Sequence, residues 1–221
     1  MQAQTVQRAD ARRNRGRILT AAKTAFARDG IDASLDEIAR SAGVGPGTLY
    51  RHFPTREHLL CELLHERQSV LLSRRDEAAA QQCARKALQG WMAALKDYLS
   101  AFNGLPRSFI NAFEAQASPL AVTCRSLISI TEEFLFRAQS KGIARSSVSA
   151  PALFLSALGA AFVYDKARDY GTTAEKVEEI LALGYLVDGS LADTPHPSDS
   201  NQSSGASRDG VDHSAAKKTR S

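Results

Sequence analysis

Helical spacing of apolar residues, with almost no strand-like alternation, is the feature that most restricts the fold of this 221-residue chain. Ile18, Ala22 and Phe26 follow the i, i+4, i+8 spacing of an amphipathic helix. Similar segments recur along the chain, and glycine or proline separates them. We therefore predict an all-α protein of about nine helices, four of them in the N-terminal part and the others near 83–102, 105–117, 119–140, 149–170 and 173–191.

The stretch SLDEIARSAGVGPGTLYRHF, residues 34–53, predicts two short helices joined by a tight turn. Ser34 and Glu37 have the spacing of a capping box, in which each side chain satisfies a free backbone N–H of the first turn. Gly43 is expected to end that helix. Pro46 suits the first position of the next one, because its missing N–H would have no partner there. Two helices joined in this way form a helix-turn-helix, whose second helix lies in the DNA major groove.

The second helix of this pair carries side chains that suit DNA. Gly45 and Gly47 would let the start of the helix approach the floor of the groove closely. Arg51 is the best candidate for base readout, because a guanidinium can donate to both O6 and N7 of guanine. Donors that suit phosphate oxygens are Thr48, Tyr50 and His52. A structural helix with an exposed polar face is the alternative, but it leaves the agreement of cap, turn and proline unexplained.

The positive charge of the chain lies beside this motif. The net charge is +4, from 28 Lys and Arg against 24 Asp and Glu. Residues 1–60 hold ten basic and six acidic residues, whereas residues 61–221 hold eighteen of each. A basic end on a neutral body indicates a module that binds a polyanion. Charge alone leaves a solvated arm as an equal alternative, and we expect residues 1–11 to be a disordered basic arm.

The longer stretch SLDEIARSAGVGPGTLYRHFPTREHLLCELL resembles the TetR/AcrR family of bacterial transcriptional regulators. The preceding RILTAAKTAFARDGIDAS resembles the first helix of that family, so the resemblance covers roughly residues 12–65. It implies an all-helical homodimer with three DNA-binding helices at the N-terminus of each chain. The domains that we expect are a helix-turn-helix DNA-binding domain at 12–56, a helical effector-binding and dimerisation domain at 57–192, and a disordered tail at 193–221.

The resemblance also implies roles for single residues. Arg56 matches a basic residue that contacts phosphate in the family. Other positions that contact phosphate match Thr48, Tyr50 and His52. Arg51 matches a position at or near the bases. Family members often have a polar or basic residue where this chain has Gly45 and Pro46, which shifts the expected base readout to Arg51. The complete set of expected DNA contacts is Ser34, Gly45, Pro46, Gly47, Thr48, Tyr50, Arg51, His52, Arg56, Arg12 and Arg13.

Two apolar segments near the C-terminus predict the contact between subunits. APALFLSALGAAFVYDKA and VEEILALGYLVDGSL contain small residues and are apolar on most of their circumference, so each must be buried on more than one side. We expect a homodimer through the helices near 149–170 and 173–191, although packing within one chain is the alternative. A twofold dimer would place two recognition helices about 34–36 Å apart, as a palindromic double-stranded DNA operator requires.

Aromatic residues of the middle helices indicate a pocket for a small-molecule effector. Trp91, Phe109 and Phe113 are expected near it, because ligand pockets are mostly apolar with few polar anchors. Ordinary core packing is the alternative for each of them. The polar anchors that we expect are Asn111, Glu114 and Arg125. No cofactor is expected other than this unidentified effector.

Other functions have little support in the sequence. It has no nucleophile–base motif, phosphate-binding glycine loop or H-E-x-x-H pattern, so we expect no enzyme. His58, Glu62 and His65 share one helical face, but such residues are usually a solvated surface, and we predict no metal site. No apolar run reaches the roughly 18 residues of a membrane span. Three cysteines without a CxxC pair indicate reduced thiols in the cytoplasm.

The sequence therefore predicts a cytoplasmic, bacterial, sequence-specific DNA-binding regulator that associates with the nucleoid when bound to DNA. A repressor that a small-molecule effector releases from its operator is the form that the family resemblance favours. The alternative is a transcriptional activator or an effector-independent DNA-binding protein.

Overall fold

The computed structural model describes residues 2–114, 118–167 and 173–187, all within the first of two compact units, Met1–Asp188. In these ranges the chain forms nine α-helices and no strand. They are α1 Gln2–Asp29, α2 Leu35–Ser41, α3 Pro46–His52, α4 Arg56–Ala79, α5 Ala84–Leu99, α6 Leu105–Glu114, α7 Pro119–Gln139, α8 Ala150–Ala167 and α9 Ala174–Tyr185. The tail expected to be disordered, 193–221, lies outside the described residues.

The all-α fold and the number of helices are confirmed, and the N-terminal boundary differs from the prediction. Helix α1 begins at Gln2, so most of the expected arm over residues 1–11 is helical. The chain has no glycine or proline before Gly16, and its Ala, Gln and Arg residues have high helix propensity. Charge composition was therefore a poor guide to the start of this helix.

The first three helices pack around a small apolar core that α4 completes. Ile18 and Phe26 of α1 are fully buried, together with Ile38 of α2, Leu49 of α3 and Leu59 of α4. The chain leaves α1 through Gly30, which has a φ of 75°, and its new direction brings α2 across α1. This core fixes the position of α3, the helix that the sequence assigns to DNA.

Helix α5 lies at the centre of the C-terminal part and packs against α4, α7 and α8. Trp91 of α5 is fully buried, and its ring stacks on Phe134 with centroids 5.6 Å apart. Its Nε1 donates to Oγ1 of Thr131 at 2.9 Å, and that hydroxyl donates to the Leu127 carbonyl at 2.8 Å. The polar groups in this part of the core are thus paired, as burial requires.

Large apolar side chains remain exposed on the last two helices. Helix α8 exposes Leu155, Phe162 and Val163, and α9 exposes Ile180 and Leu183. Val70 of α4, which the apolar spacing placed on the buried side, is also exposed. Within the described part of the chain, no helix has both the length and the apolar content that crossing a bilayer requires.

Candidate nucleic-acid interface

The turn between α2 and α3 is built by local interactions. Ser34 caps α2, and its Oγ accepts a hydrogen bond from the Glu37 backbone N–H at 3.4 Å. Gly43 adopts a φ of 62° and ends the helix, and the Val44 N–H donates to the Ala39 carbonyl at 3.0 Å. The turn then delivers Pro46 to the first position of α3, as the sequence predicted.

Helix α3 has one buried side and one open side. Leu49 is fully buried and Phe53, which follows the helix, is 2% exposed. Tyr50 is 45% exposed and Arg51 is exposed. The other two predicted donors, Thr48 and His52, are partly exposed. The four polar side chains that α3 contributes to the predicted contacts are therefore accessible to a partner, whereas Leu49 and Phe53 hold the helix on its domain.

The start of α3 presents bare backbone. A Cβ added at Gly45 or Gly47 would meet no atom within 4 Å, and neither residue has a positive φ. The fold itself therefore does not need glycine at either position. The small residues leave an exposed surface at Gly45, Pro46 and Gly47, which a partner can approach closely.

Arg17 stabilises the turn, although the sequence analysis counted it only as part of the basic cluster. Its Nη2 donates to the Gly43 carbonyl at 3.4 Å. A Cβ at Gly43 would lie 2.1 Å from the same nitrogen, so the glycine also makes room for the arginine. No local spacing signals this contact, because it joins residues 26 positions apart.

Arg56 does not extend from the domain as the predicted phosphate contact requires. Its guanidinium is part-buried, lies 6.0 Å from the centroid of the Phe26 ring, and donates to the carbonyls of Ile31 and Ala33, at 2.7 Å for the second. These bonds satisfy backbone oxygens in the connection between α1 and α2. The structure thus gives Arg56 internal partners, and its contact with phosphate stays a prediction.

The remaining basic residues of α1 divide into two groups. Arg12 and Arg13 are exposed, and Arg13 pairs with Asp10. Arg15 points back to the domain, where it pairs with Glu62 of α4 at 2.5 Å and lies 5.4 Å from the centroid of the Phe53 ring. Arg12 and Arg13 stay candidates for phosphate contacts, whereas Arg15 ties α1 to α4.

The face of α4 considered for metal binding has other partners. Oγ1 of Thr55 lies 2.9 Å from Nδ1 of His58, and Glu62 pairs with Arg15. Among the described residues, no group of three or more His, Cys, Asp and Glu side chains is arranged to hold a metal ion.

Comparison with known families identifies both parts of the chain. Residues 18–63 match the family described as bacterial regulatory proteins, tetR family. Residues 84–185 match the family described as transcriptional regulator SbtR-like, C-terminal domain. Together the two matches span about two thirds of the chain. The chain belongs to the TetR family of transcriptional regulators. It has the helix-turn-helix DNA-binding domain of that family, whose members are DNA-binding regulators and not enzymes.

Curated TetR-type relatives match the N-terminal region. The HTH-type transcriptional regulator TtgW of Pseudomonas putida is 44% identical over 64 residues, which are 28% of this chain and 48% of that protein. The HTH-type transcriptional regulator UidR of Escherichia coli K12 is 38% identical over 66 residues, which are 29% of this chain and 34% of that protein. The chain thus spans less than half the length of these curated relatives.

Solved TetR-family structures match most of the chain. A TetR transcriptional regulator from Streptomyces coelicolor is 28% identical, with 79% of this chain and 99% of that chain covered and a TM-score of 0.51. RolR in complex with resorcinol is 20% identical, with 83% and 93% covered and a TM-score of 0.57. At that identity the second match shows a common fold alone.

The residues expected around an effector pocket differ in their environments. Trp91 and Phe109 are fully buried, and each packs against another aromatic ring, Trp91 on Phe134 and Phe109 on Phe154. Asn111 and Arg125 are exposed. The side chains of Phe113 and Glu114 lie outside the described part of the chain. Trp91 and Phe109 thus pack in the core of the described structure, and the effector pocket around them stays a prediction.

Cavities in the C-terminal helices lie elsewhere. One of about 340 Å³ is a partly open space between α5, α8 and α9, with Met92, Lys96, Ala157 and Tyr185 among its lining residues. Another, of about 400 Å³, lies between α4 and α7 and reaches Tyr98 of α5. We call the second one the α4/α7 cavity. Both have the volume of a small-molecule site.

Proposed function

We propose that this TetR-family protein binds a palindromic DNA operator in the cytoplasm as a homodimer and is released from it by a small-molecule effector. The observation that carries the DNA part is the open side of α3. There Tyr50 and Arg51 are exposed beside bare backbone at Gly45 and Gly47, and Leu49 anchors the helix from behind. Side chains of this chemistry contact phosphates and base edges.

The exposed apolar surface of α8 and α9 supports a dimer. Leu155 and Phe162 are seven positions apart and share a face of α8, and Gly159 lies between them with open space where a Cβ would be. Gly184 of α9 has the same open space and follows the exposed Leu183. Large side chains around small residues let two helices pack closely, and a twofold axis would bury the same patch on both chains.

The effector part of the proposal depends on the cavities. RolR, which shares this fold, was solved in complex with the small aromatic molecule resorcinol. The α4/α7 cavity is formed partly by α4, which follows the DNA-binding helices and packs against α1. A ligand that favours another position of α4 would weaken operator binding, and the operator would weaken ligand binding by the same factor.

Selection from a pool of random duplexes with the full-length protein tests the DNA part. We expect enrichment of a palindrome whose affinity falls at least tenfold in Tyr50→Ala and in Arg51→Ala, since each removes a proposed contact from both half-sites. Arg145→Ala, which removes an exposed arginine from the loop between α7 and α8, should bind as the wild type does. Failure to enrich any sequence, or equal binding by all three variants, would contradict the proposal.

A further inference from the structure

Glu62 belongs to two features of the molecule at once. It is one of the residues that line the α4/α7 cavity, and its Oε2 pairs with Nη2 of Arg15 at 2.5 Å. Arg15 belongs to α1 of the DNA-binding domain, and its guanidinium also lies over the ring of Phe53, the residue that follows α3. A single carboxylate thus connects a ligand-sized space to the recognition helix through one arginine.

The charged side chains that line the α4/α7 cavity have one sign. Glu62 is the only Asp, Glu, Lys or Arg among the described residues that line it. Leucines from α4 and apolar residues from α7 form much of the remaining surface, namely Leu71, Leu72, Val122, Leu127 and Ile130. Polar side chains such as His65 and Gln68 also line the cavity, but among the described lining residues Glu62 is the one carboxylate.

The pKa of the neighbouring Cys61 thiol depends on the same carboxylate and on burial. Burial, together with the smaller effect of the charges of Glu62 and Glu57, raises the pKa of its thiol to about 11. Both causes disfavour an additional negative charge in this region. Burial disfavours an unpaired charge of either sign, whereas the negative charges of Glu62 and Glu57 favour a positive charge that pairs with one of them.

We propose that the α4/α7 cavity takes a small apolar molecule that carries a cationic amine, and that its ammonium group competes with Arg15 for the carboxylate of Glu62. The proposal rests on the effector-released regulator proposed above, and it names the class of effector and the contact that transmits its binding. An ammonium group and a guanidinium are alternative partners for one carboxylate, so the exchange leaves the negative charge paired in both states.

Even a weakly binding ligand can replace Arg15 as the partner of Glu62. The side chains of Arg15 and Glu62 are 41% and 37% exposed, and ion pairs with this exposure are easily replaced. Loss of the pair frees Arg15 and removes a tie between α1 and α4 beside the end of α3. Because operator and amine would then prefer different partners for Glu62, each would weaken the binding of the other.

The cavity between α5, α8 and α9 does not offer the same selectivity. Its lining contains Arg85 and Lys96 as well as Glu178 and Glu179, and Lys96 already pairs with Glu178. Charges of both signs would accept a cation or an anion with little preference. Glu179 therefore provides a control carboxylate in a second cavity of similar size.

Three probes with one carbon skeleton test the charge preference: 4-phenylbutylamine, 4-phenylbutanol and 4-phenylbutanoate. Calorimetric titration into the full-length protein at pH 7, without DNA, should give tightest binding for the amine, about tenfold tighter than for the alcohol, as one charge-assisted hydrogen bond requires. Glu62→Gln should abolish this preference, whereas Glu66→Gln on the exposed face of α4 and Glu179→Gln in the other cavity should keep it. Equal binding of the three probes, binding of none of them, or a preference that survives Glu62→Gln would overturn the proposal.

Arg15→Gln tests the competition. Without its competitor the amine should bind about twofold to fivefold tighter, the range expected for a partly exposed ion pair. Unchanged or weaker binding would refute the exchange even if the cavity prefers cations. If Arg15→Gln lowered the melting temperature by more than a few degrees, Arg15→Lys, which keeps the charge, should restore the wild-type affinity. Since no DNA is present, these results are independent of whether the operator proposal holds.

Discussion

Replacement of Arg56 by Met distinguishes the structure from the family resemblance most sharply. The resemblance makes Arg56 a phosphate contact, whereas the structure shows its guanidinium donating to the carbonyls of Ile31 and Ala33. Met keeps much of the length and apolar character of the side chain, but it cannot donate a hydrogen bond. The two interpretations therefore predict different outcomes for the stability of the protein and for its affinity for DNA.

The magnitude follows from the two hydrogen bonds. A bond from a charged donor contributes about 1.5–3 kcal/mol when it is shielded from water. The guanidinium is only part-buried, so water can replace part of each lost bond and the contributions are smaller than this range suggests. We expect Arg56→Met to lower the free energy of unfolding by about 2 kcal/mol.

Two measurements on the full-length protein separate the interpretations. Urea unfolding at a fixed protomer concentration gives the loss of stability, because the concentration fixes any contribution from dimerisation. The dependence of operator affinity on salt counts phosphate contacts, since each contributes about 0.9 to the slope of log K against log salt. Arg56→Met should leave that slope unchanged below its unfolding transition.

Arg12→Met is the matched control, because Arg12 is an exposed arginine of the same domain. It should leave the unfolding free energy within about 0.5 kcal/mol of the wild type, as surface substitutions do. If Arg12 contacts phosphate in each protomer, the salt slope should fall by about 1.8. The reasoning would be refuted if Arg56→Met showed the pattern expected here for Arg12, with unchanged stability and a smaller slope.

Three further outcomes follow from the structure. Phe162→Glu, in the exposed apolar surface of α8, should convert the proposed dimer to a monomer in sedimentation experiments, whereas Val70→Glu, at an equally exposed residue of α4, should not. Trp91→Phe should cost about 2 kcal/mol of unfolding free energy in urea, because it removes the donor to Thr131 and leaves a small void. Iodoacetamide at pH 7 should alkylate Cys83 first, as peptide mass spectrometry would show. The Lys86 backbone lowers the pKa of the exposed Cys83 and so raises its thiolate fraction, whereas burial raises the pKa of Cys61 and Cys124 to about 11.

The helix-turn-helix could be predicted because its determinants are local. Ser34 caps a helix that begins one residue later, Gly43 supplies a positive φ, and Pro46 starts the next helix. Each signal acts within a few residues of its position, so spacing in the sequence is sufficient to find it. The same reasoning gave the breaks at Gly104 and Gly142, although α9 ends at Tyr185 and not near 191.

The effector pocket could not be predicted in the same way. Trp91 and Phe109 are large and apolar, and these properties suit a core as well as a cavity. The choice depends on which surfaces remain uncovered when five helices pack, and that depends on contacts such as the stack of Trp91 on Phe134, 43 positions away. The lining of the α4/α7 cavity instead includes small and polar residues that composition does not single out, such as Thr123 and Ser126.

Net charge overstates the number of side chains in the DNA-binding region that are free to contact DNA. Of the ten basic residues in residues 1–60, three are held by another helix or connection of the described chain: Arg15 pairs with Glu62, Arg17 donates to the Gly43 carbonyl, and Arg56 donates to Ala33. The salt slope for operator binding should therefore stay below about 6 per protomer, the value for seven phosphate contacts. A steeper slope would mean that an internal partner is exchanged for phosphate when DNA binds. Arg15 is the arginine to examine first in that case, because its pair with Glu62 is the one that the proposed amine also breaks.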